Sequence, residues 1–228
     1  MCGIVGIFDI LGKADISRDL VSRMNETQLH RGPDEYGIHT EPGLGFGHRR
    51  LSIIDLSGGR EPIFNEDERF ALIFNGEIYN YVELRPELEK RGHRFRTTSD
   101  TEVLVHLYEE YGSRCVDVLN GQFAFAIWDG RSQVLILARD RLGIKPLYYH
   151  FSRNQNTLLF ASELKALMAF GGFAKVVAPD SIPLFLHYQY IPAPGTIFKN
   201  TYKLLPGHFL TYNGDDVKTE EYWRLPDP

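Results

Sequence analysis

Apolar residues in this chain fall into short runs, divided by polar stretches rich in glycine and proline, and few segments carry a helical period. Gly3–Phe8 is an unbroken apolar run ending at Asp9 and reads as a short buried strand. Beyond it, Ser17 is placed to cap a helix whose apolar face is Leu20, Val21 and Met24. His30–Gly37 (HRGPDEYG) is polar and punctuated, hence a loop, and Gly45–Asp55 predicts one or two strands before a Gly58-Gly59 turn. Phe70–Tyr81 (FALIFNGEIYNY) predicts a strand, an Asn-Gly turn and an outgoing segment. A helix should follow to about Arg91, bent or delayed by Pro86.

Thr101–Tyr111 has the clearest helical period, with Val103, Leu104, Leu107 and Tyr108 on one face and Gly112 as its stop. Strands are predicted over Gln122–Trp128, Val134–Arg139, Pro146–Phe151 and Leu158–Ala161, the first two joined by an Asp129-Gly130 turn. Ser162 is placed to cap a helix in SELKALMAF, another helix is expected over Pro179–Tyr188, and PAPG breaks the pattern before a last strand in PGHFLTYNG. Two groups of strands with helices between and after them predict stacked sheets flanked by helices.

Composition narrows the function classes. The 228 residues are 43% hydrophobic and 24% charged with a net charge of −5, ordinary for a globular protein with a sizeable core. There is no Lys/Arg cluster, so nucleic acid and anionic membrane are not expected partners. No run has the length of a membrane span, and the apolar start lacks the basic flank of a signal peptide. Two cysteines, Cys2 and Cys115, suit a reducing cytoplasm better than a disulfide framework.

Cys2 changes the picture most. An isolated cysteine is ordinarily a small buried hydrophobe. Directly behind Met1, however, it becomes the N-terminal residue once that methionine is removed. A thiol with pKa about 8.5 then sits beside an amine with pKa about 8, nearly matched for proton transfer. Nucleophile and base would share one residue. The Asn75-Gly76 pair reads first as a turn, but a carboxamide beside an exposed glycine amide also supplies two neutral donors for an oxyanion. Paired Arg49-Arg50 is ordinarily solvated surface, yet an arginine at a strand end can grip a carboxylate with two bonds. Asp100 before the helical pattern reads as a helix cap or, alternatively, as a partner for an ammonium group. Arg60-Glu61-Pro62 after Ser57-Gly58-Gly59 breaks the resemblance to a pyrophosphate-binding loop, leaving a turn. No phosphate-loop signature occurs, and no histidine or cysteine spacing marks a metal site.

Taken together, these stretches resemble the class II glutamine amidotransferase domains of the N-terminal nucleophile hydrolase fold, in particular the N-terminal half of glutamine-hydrolysing asparagine synthetases. The resemblance is carried in order by MCGIVGIF, HRGPDEYG, HRRLSIIDLSGG, FNGEIYNY, TTSDTEV, LNGQFAFAIWD, RDRLGIKPLYY, ASELKAL, YIPAPGTIF and KLLPGHFL. RRLSII favours that branch over the one making glucosamine phosphate, which resembles T-R-W-A-T-H-G at the same point.

What the resemblance implies is an α+β fold in four αββα layers and hydrolysis of glutamine to glutamate and ammonia through a γ-glutamyl thioester. Cys2 would be the nucleophile and its α-amine the base. Asn75 and Gly76 would form the oxyanion hole. Arg50 would bind the α-carboxylate, supported by backbone from Leu51, Ser52, Ile53 and Ile54, with Glu77 and Asp100 on the α-ammonium. The resemblance implies no cofactor or metal for this unit; ATP and magnesium would belong to a synthetase domain that this sequence does not include. Residues 1–213 would form the glutaminase domain and 214–228 a linker toward that synthetase, which would amidate aspartate with the released ammonia. A homodimer is left open. Rival readings are an amidotransferase with a polysaccharide or antibiotic acceptor, a non-catalytic glutamine-sensing module, and a structural domain for assembly. Pro86 sits where relatives run an uninterrupted helix, which sets that helix apart.

Overall fold

A computed structural model describes residues 1–11, 14–56, 58–212 and 216–226. Two antiparallel sheets of six strands each organise them. In chain order the strands are β1 (Gly3–Asp9), β2 (Glu35–Glu41), β3 (Leu44–Arg50), β4 (Ile63–Phe64), β5 (Phe70–Ile78) and β6 (Gly121–Asp129). They continue as β7 (Val134–Arg139), β8 (Tyr148–Ser152), β9 (Thr157–Ala161), β10 (Thr201–Lys203), β11 (His208–Tyr212) and β12 (Val217–Glu221). The helices are α1 (Arg18–Glu26), α2 (Tyr81–Lys90), α3 (Glu102–Tyr111), α4 (Leu164–Met168) and α5 (Ser181–Tyr188). One sheet runs β10-β8-β9-β1-β3-β2, the other β12-β11-β7-β6-β5-β4.

Period-two alternation in the strands sorts their side chains into two buried faces. Ile4 and Phe8 of β1 and Phe46 of β3 meet Ala71 and Ile73 of β5 and Ala124, Ala126 and Trp128 of β6 in a core between the sheets. Val5 and Ile7 point the other way, against Val21 and Met24 of α1 and Ala166 and Leu167 of α4. On the far side, Leu72, Phe74, Phe123, Phe125 and Ile127 pack against Leu88 of α2 and Val103, Leu104 and Leu107 of α3. Helix, sheet, sheet, helix is the layer order expected, and both faces of each central strand are dry. That is why β1, β5 and β6 read as continuous apolar runs.

Several local expectations give way to tertiary pairing. Asn75-Gly76 is not a turn: β5 runs through it, with Asn75 opposite Ala124 and Gly76 opposite Phe123 of β6. The ladder with β6 spans the whole of both strands and overrides the two-residue turn preference. Gly76 is needed for space, because a Cβ there would lie 2.3 Å from the Gln122 carbonyl oxygen. Helix α2 begins on time and continues through Pro86. Its missing amide falls opposite the carbonyl of Val82, an exposed residue where water can take the bond's place. Ser162 caps no helix. Buried at the end of β9, it exchanges bonds with Ile4, its amide donating to the Ile4 carbonyl (2.9 Å) and its Oγ accepting from the Ile4 amide (3.0 Å).

Part of the loop expected over His30–Gly37 is strand β2, paired along its length with β3. The short strands β4 and β10 carry too little pattern to be foreseen. Val217–Glu221, inside the expected linker, pairs with β11 as an edge strand. The boundary expected at 213/214, the tail of the PGHFLTYNG strand and Ser57 of the expected turn fall outside the described residues.

Candidate active site

The ends of three strands and one helix meet at a single opening between the sheets. β1 brings Cys2 at its start, β3 brings Arg50 at its end, β5 brings Asn75, Gly76 and Glu77, and the loop before α3 brings Asp100. They line one cavity of about 130 Å³ together with Leu51, Ile53 and Ile54. Of the expected residues only Ser52 is absent from this lining; its amide instead donates to Asp34 Oδ2 (2.8 Å).

Cys2 is half-buried, and its Sγ lies 3.4 Å from the Leu51 amide, which donates to it. The Arg31 Nε donates to the Cys2 carbonyl (2.8 Å), fixing the backbone of this residue. Burial, aided by the charge of Glu61, pushes the Cys2 thiol up to about 11. It is therefore protonated at neutral pH, and any nucleophilic role requires a base. Met1 also lines the cavity, and burial lowers the pKa of its terminal amine.

Asn75 is the most telling group. Its side chain is fully buried, and neither its Oδ1 nor its Nδ2 has a hydrogen-bond partner. An unsatisfied buried carboxamide costs about 1–3 kcal/mol. Such a group on a cavity wall has both a donor and an acceptor without a protein partner.

Arg50 is 5% exposed and already engaged. Its Nη1 donates to Glu35 (2.6 Å) and its Nη2 to the Ile54 (3.1 Å) and Asp55 carbonyls. These bonds lock the guanidinium in place and leave two of its five N–H groups, Nε and one on Nη1, for a ligand. Gly59 makes room for it, since a Cβ there would meet Nη2 at 2.6 Å.

Carboxyls line the same cavity. Asp100 accepts from the Ile78 amide (2.8 Å), and burial raises its pKa. Glu77 is raised by burial and next by Asp100. The cavity thus brings together a fixed guanidinium, the Lys145 ammonium and the carboxyls of Glu77 and Asp100, a charged lining able to meet an amino acid's own carboxylate and ammonium.

Sequence reasoning missed Glu61, Lys145, Gln122, Ser99 and Thr101, which line the same cavity. Glu61 is buried, held well above the ordinary carboxyl range by burial, and accepts from the Phe74 amide (2.5 Å). His48 beneath it is pushed down to about 3 by burial and bonds the Phe74 carbonyl (3.0 Å), so it is a neutral support for β5. Lys145 has its pKa lowered by burial. Its position in RDRLGIKPLYY was visible, but nothing in a loop lysine's sequence context announces that it turns into a cavity.

The family model for the glutamine amidotransferase domain matches residues 1–223. The chain belongs to that family. As a glutamine amidotransferase domain it is an enzyme of the glutaminase class, and its relatives fit the geometry. Asparagine synthetase [glutamine-hydrolyzing] 1 of Bacillus subtilis is 42% identical over 98% of this chain and 35% of its own length. A putative asparagine synthetase 2 from Methanocaldococcus jannaschii is 37% identical over all of this chain and 47% of its own. The domain thus spans about a third to a half of these relatives. The solved glutamine phosphoribosylpyrophosphate amidotransferase of B. subtilis superposes with a TM-score of 0.69 at 21% identity, covering 97% of this chain and 49% of its own. An allosteric regulatory enzyme of purine biosynthesis superposes at 0.71 and 22%, with the same coverage. These two establish the fold. Among the described residues no helix is long and apolar enough to cross a membrane.

Proposed function

We propose that this domain hydrolyses glutamine at Cys2 and feeds the ammonia to an asparagine-synthetase-type amidation of aspartate. The observation that carries the glutaminase chemistry is the single cavity shared by the Cys2 thiol, the unsatisfied Asn75 carboxamide and the zwitterion cradle of Arg50, Glu77 and Asp100.

Once Met1 is removed, the Cys2 amine takes the thiol proton, through a water if geometry within one residue is too tight. The thiolate attacks the δ-carbonyl of glutamine while Asn75 Nδ2 and the Gly76 amide hold the oxyanion. The amine returns its proton to the departing nitrogen, ammonia leaves, and water hydrolyses the γ-glutamyl thioester. Arg50 fixes the substrate by its α-carboxylate and Glu77 with Asp100 by its ammonium, so the amide is presented to sulfur in one orientation.

The acceptor rests on the relatives, which carry additional length in which an ATP-dependent synthetase domain would lie. In the longer relatives such a domain would follow the segment that pairs here as β12. Helix α5 exposes Ile182, Leu184, Phe185, Leu186 and Tyr188, an apolar face suited to that domain. The test is direct. Purified protein is given glutamine, and glutamate and ammonia are measured; the full-length protein is then given aspartate and ATP as well. Glutamate without asparagine from the longer protein would leave the glutaminase in place and assign a different acceptor. No glutamate would remove the catalytic reading and favour a glutamine-sensing module.

A further inference from the structure

Among residues that do not line the cavity, four side chains from three separate segments converge. Glu66 comes from the loop after β4, His93 from the connection between α2 and α3, and His106 with Glu109 from one face of α3 at i, i+3 spacing. One ligand-type atom from each lies within 4.8 Å of all the others. We propose that this cluster binds one divalent transition-metal ion of the zinc class and ties the three segments together.

The geometry is that of a site rather than of a solvated charge cluster. His106 is 1% exposed, and neither ring nitrogen makes a hydrogen bond. Its Nδ1 lies 3.4 Å from Glu66 Oε2, and the Nδ1 of His93 lies 3.4 Å from Glu66 Oε1 and 3.9 Å from Glu109 Oε2. A tetrahedral ion with bonds of 2.0–2.1 Å has ligand-to-ligand edges of about 3.3 Å, so four ligand atoms within 4.8 Å of one another would draw together by up to about 1.5 Å to bind it. Two neutral imidazoles and two carboxylates would balance a 2+ charge, and the mixed N/O set suits zinc or cobalt better than calcium or magnesium.

His93 has the outer contact that metal-binding histidines require, turning its Nε2 to Glu110 Oε1 (3.2 Å) and leaving its Nδ1 for the centre. The His106 Nε2 lies 3.9 Å from Glu102 Oε1, beyond hydrogen-bond reach, with its Nδ1 on the Glu66 side. Glu66 accepts from the Arg94 amide (2.8 Å), and Glu109 accepts from Asn65 Nδ2 (3.1 Å). A surface hollow lined by Glu66, His93 and Glu109 gives an entry path. Residues spread from position 66 to 109 have no compact motif, which is why spacing in the sequence did not mark them. The ion would act on structure: Glu102 also holds the Arg96 and Thr97 amides (2.7 Å each), in the loop that leads to Asp100.

The test uses tag-free protein stripped with a chelator and dialysed. Zinc is added by calorimetric titration, and cobalt(II) is followed by its visible ligand-field absorption. The expected result is one equivalent bound, a tetrahedral cobalt spectrum, and a Tm that rises with zinc concentration. His106→Gln risks unfolding a buried position, so the more accessible His93→Gln and Glu109→Gln are the working variants. Each should weaken zinc binding about tenfold or more and lose the cobalt spectrum while remaining folded. Absence of stoichiometric binding to the wild type, or unchanged affinity in both variants, overturns the proposal.

Discussion

The surroundings of the two cysteines differ more than the thiols do. Cys115 sits in the 3₁₀ turn Gly112–Asp117 after α3, wholly inside the outer core with Val103, Leu104 and Val116. Burial, reinforced by Asp117, pushes its thiol up to about 12. Cys2 stands at about 11, also through burial first. Neither is acidic, so intrinsic thiol chemistry does not separate them. What separates them is the opposite wall: Cys115 faces hydrocarbon, whereas Cys2 shares a cavity with an unsatisfied carboxamide, a locked guanidinium and the carboxyls of Glu61, Glu77 and Asp100. On the proposed mechanism, reactivity would come from these neighbours and from the Cys2 amine, not from the thiol alone.

The sharpest way to break this comparison is to remove each sulfur in turn. Cys2→Ala should abolish glutamine hydrolysis, a loss on the order of 10⁴-fold or more, with the fold intact. Cys115→Ala should leave the rate unchanged and cost about 1 kcal/mol in denaturant titration. Equal loss of activity in both would mean that the two sites do not differ as described.

Asn75→Ala tests the opposite wall. Losing one oxyanion donor should lower kcat by about 10²–10³ while KM changes little. Because the carboxamide makes no hydrogen bond, stability should hold or rise slightly; a clear fall in Tm with kcat preserved would make Asn75 structural instead.

Arg50→Lys should raise KM for glutamine about tenfold or more and touch kcat less, since a point charge cannot reproduce the fork. An unchanged KM in steady-state kinetics would take Arg50 out of substrate binding.

The smallest effects concern protons. Glu77 and Asp100 hold their protons more tightly than ordinary carboxyls do, while an incoming ammonium favours their ionised forms. Glutamine binding should therefore weaken as pH falls below neutral, and KM measured against pH should rise on the acid side. On the alkaline side, Cys115 has a folded pKa above its ordinary value of 9.0. Its stabilising contribution is full below pH 9 and is lost as pH rises toward 12, because the unfolded chain ionises first. Cys115→Ala should flatten that alkaline loss in denaturant titrations.

How much of this was legible in the sequence depends on whether the signal was local. The α3 helix, the buried strands and the layer order followed from periodicity, because each of those elements is dry on the faces that its pattern marks. Asn75-Gly76 misled, since the strongest local turn signal was overruled by pairing with β6, a contact no window of residues contains. The same holds for Ser162, which answers Ile4 across the sheet rather than the helix beside it. At the site, residues of distinctive type stood out: a cysteine at position 2, paired arginines, an acid before a helix. Glu61 and Lys145 did not, because a glutamate or lysine in a loop is ordinarily solvated and only the closing of two sheets buries these. Glu66, His93, His106 and Glu109 were hidden because they come from three segments and meet only in the fold.

The account stands or falls on the nitrogen of Cys2. While Met1 is attached that nitrogen is a peptide amide with no usable lone pair, and Met1 itself occupies the cavity wall. The neutral His48 bonds β5 and offers no substitute base near the sulfur. Intact mass should be determined beside the glutaminase rate for protein beginning at Cys2 and for a variant whose N-terminal extension resists removal. The Cys2-terminal form should turn over glutamine, and the extended form should be slower by about 10²-fold or more, the share expected of a general base. Equal rates from both forms, with the masses confirming the two termini, would contradict the assignment of the Cys2 amine as the catalytic base.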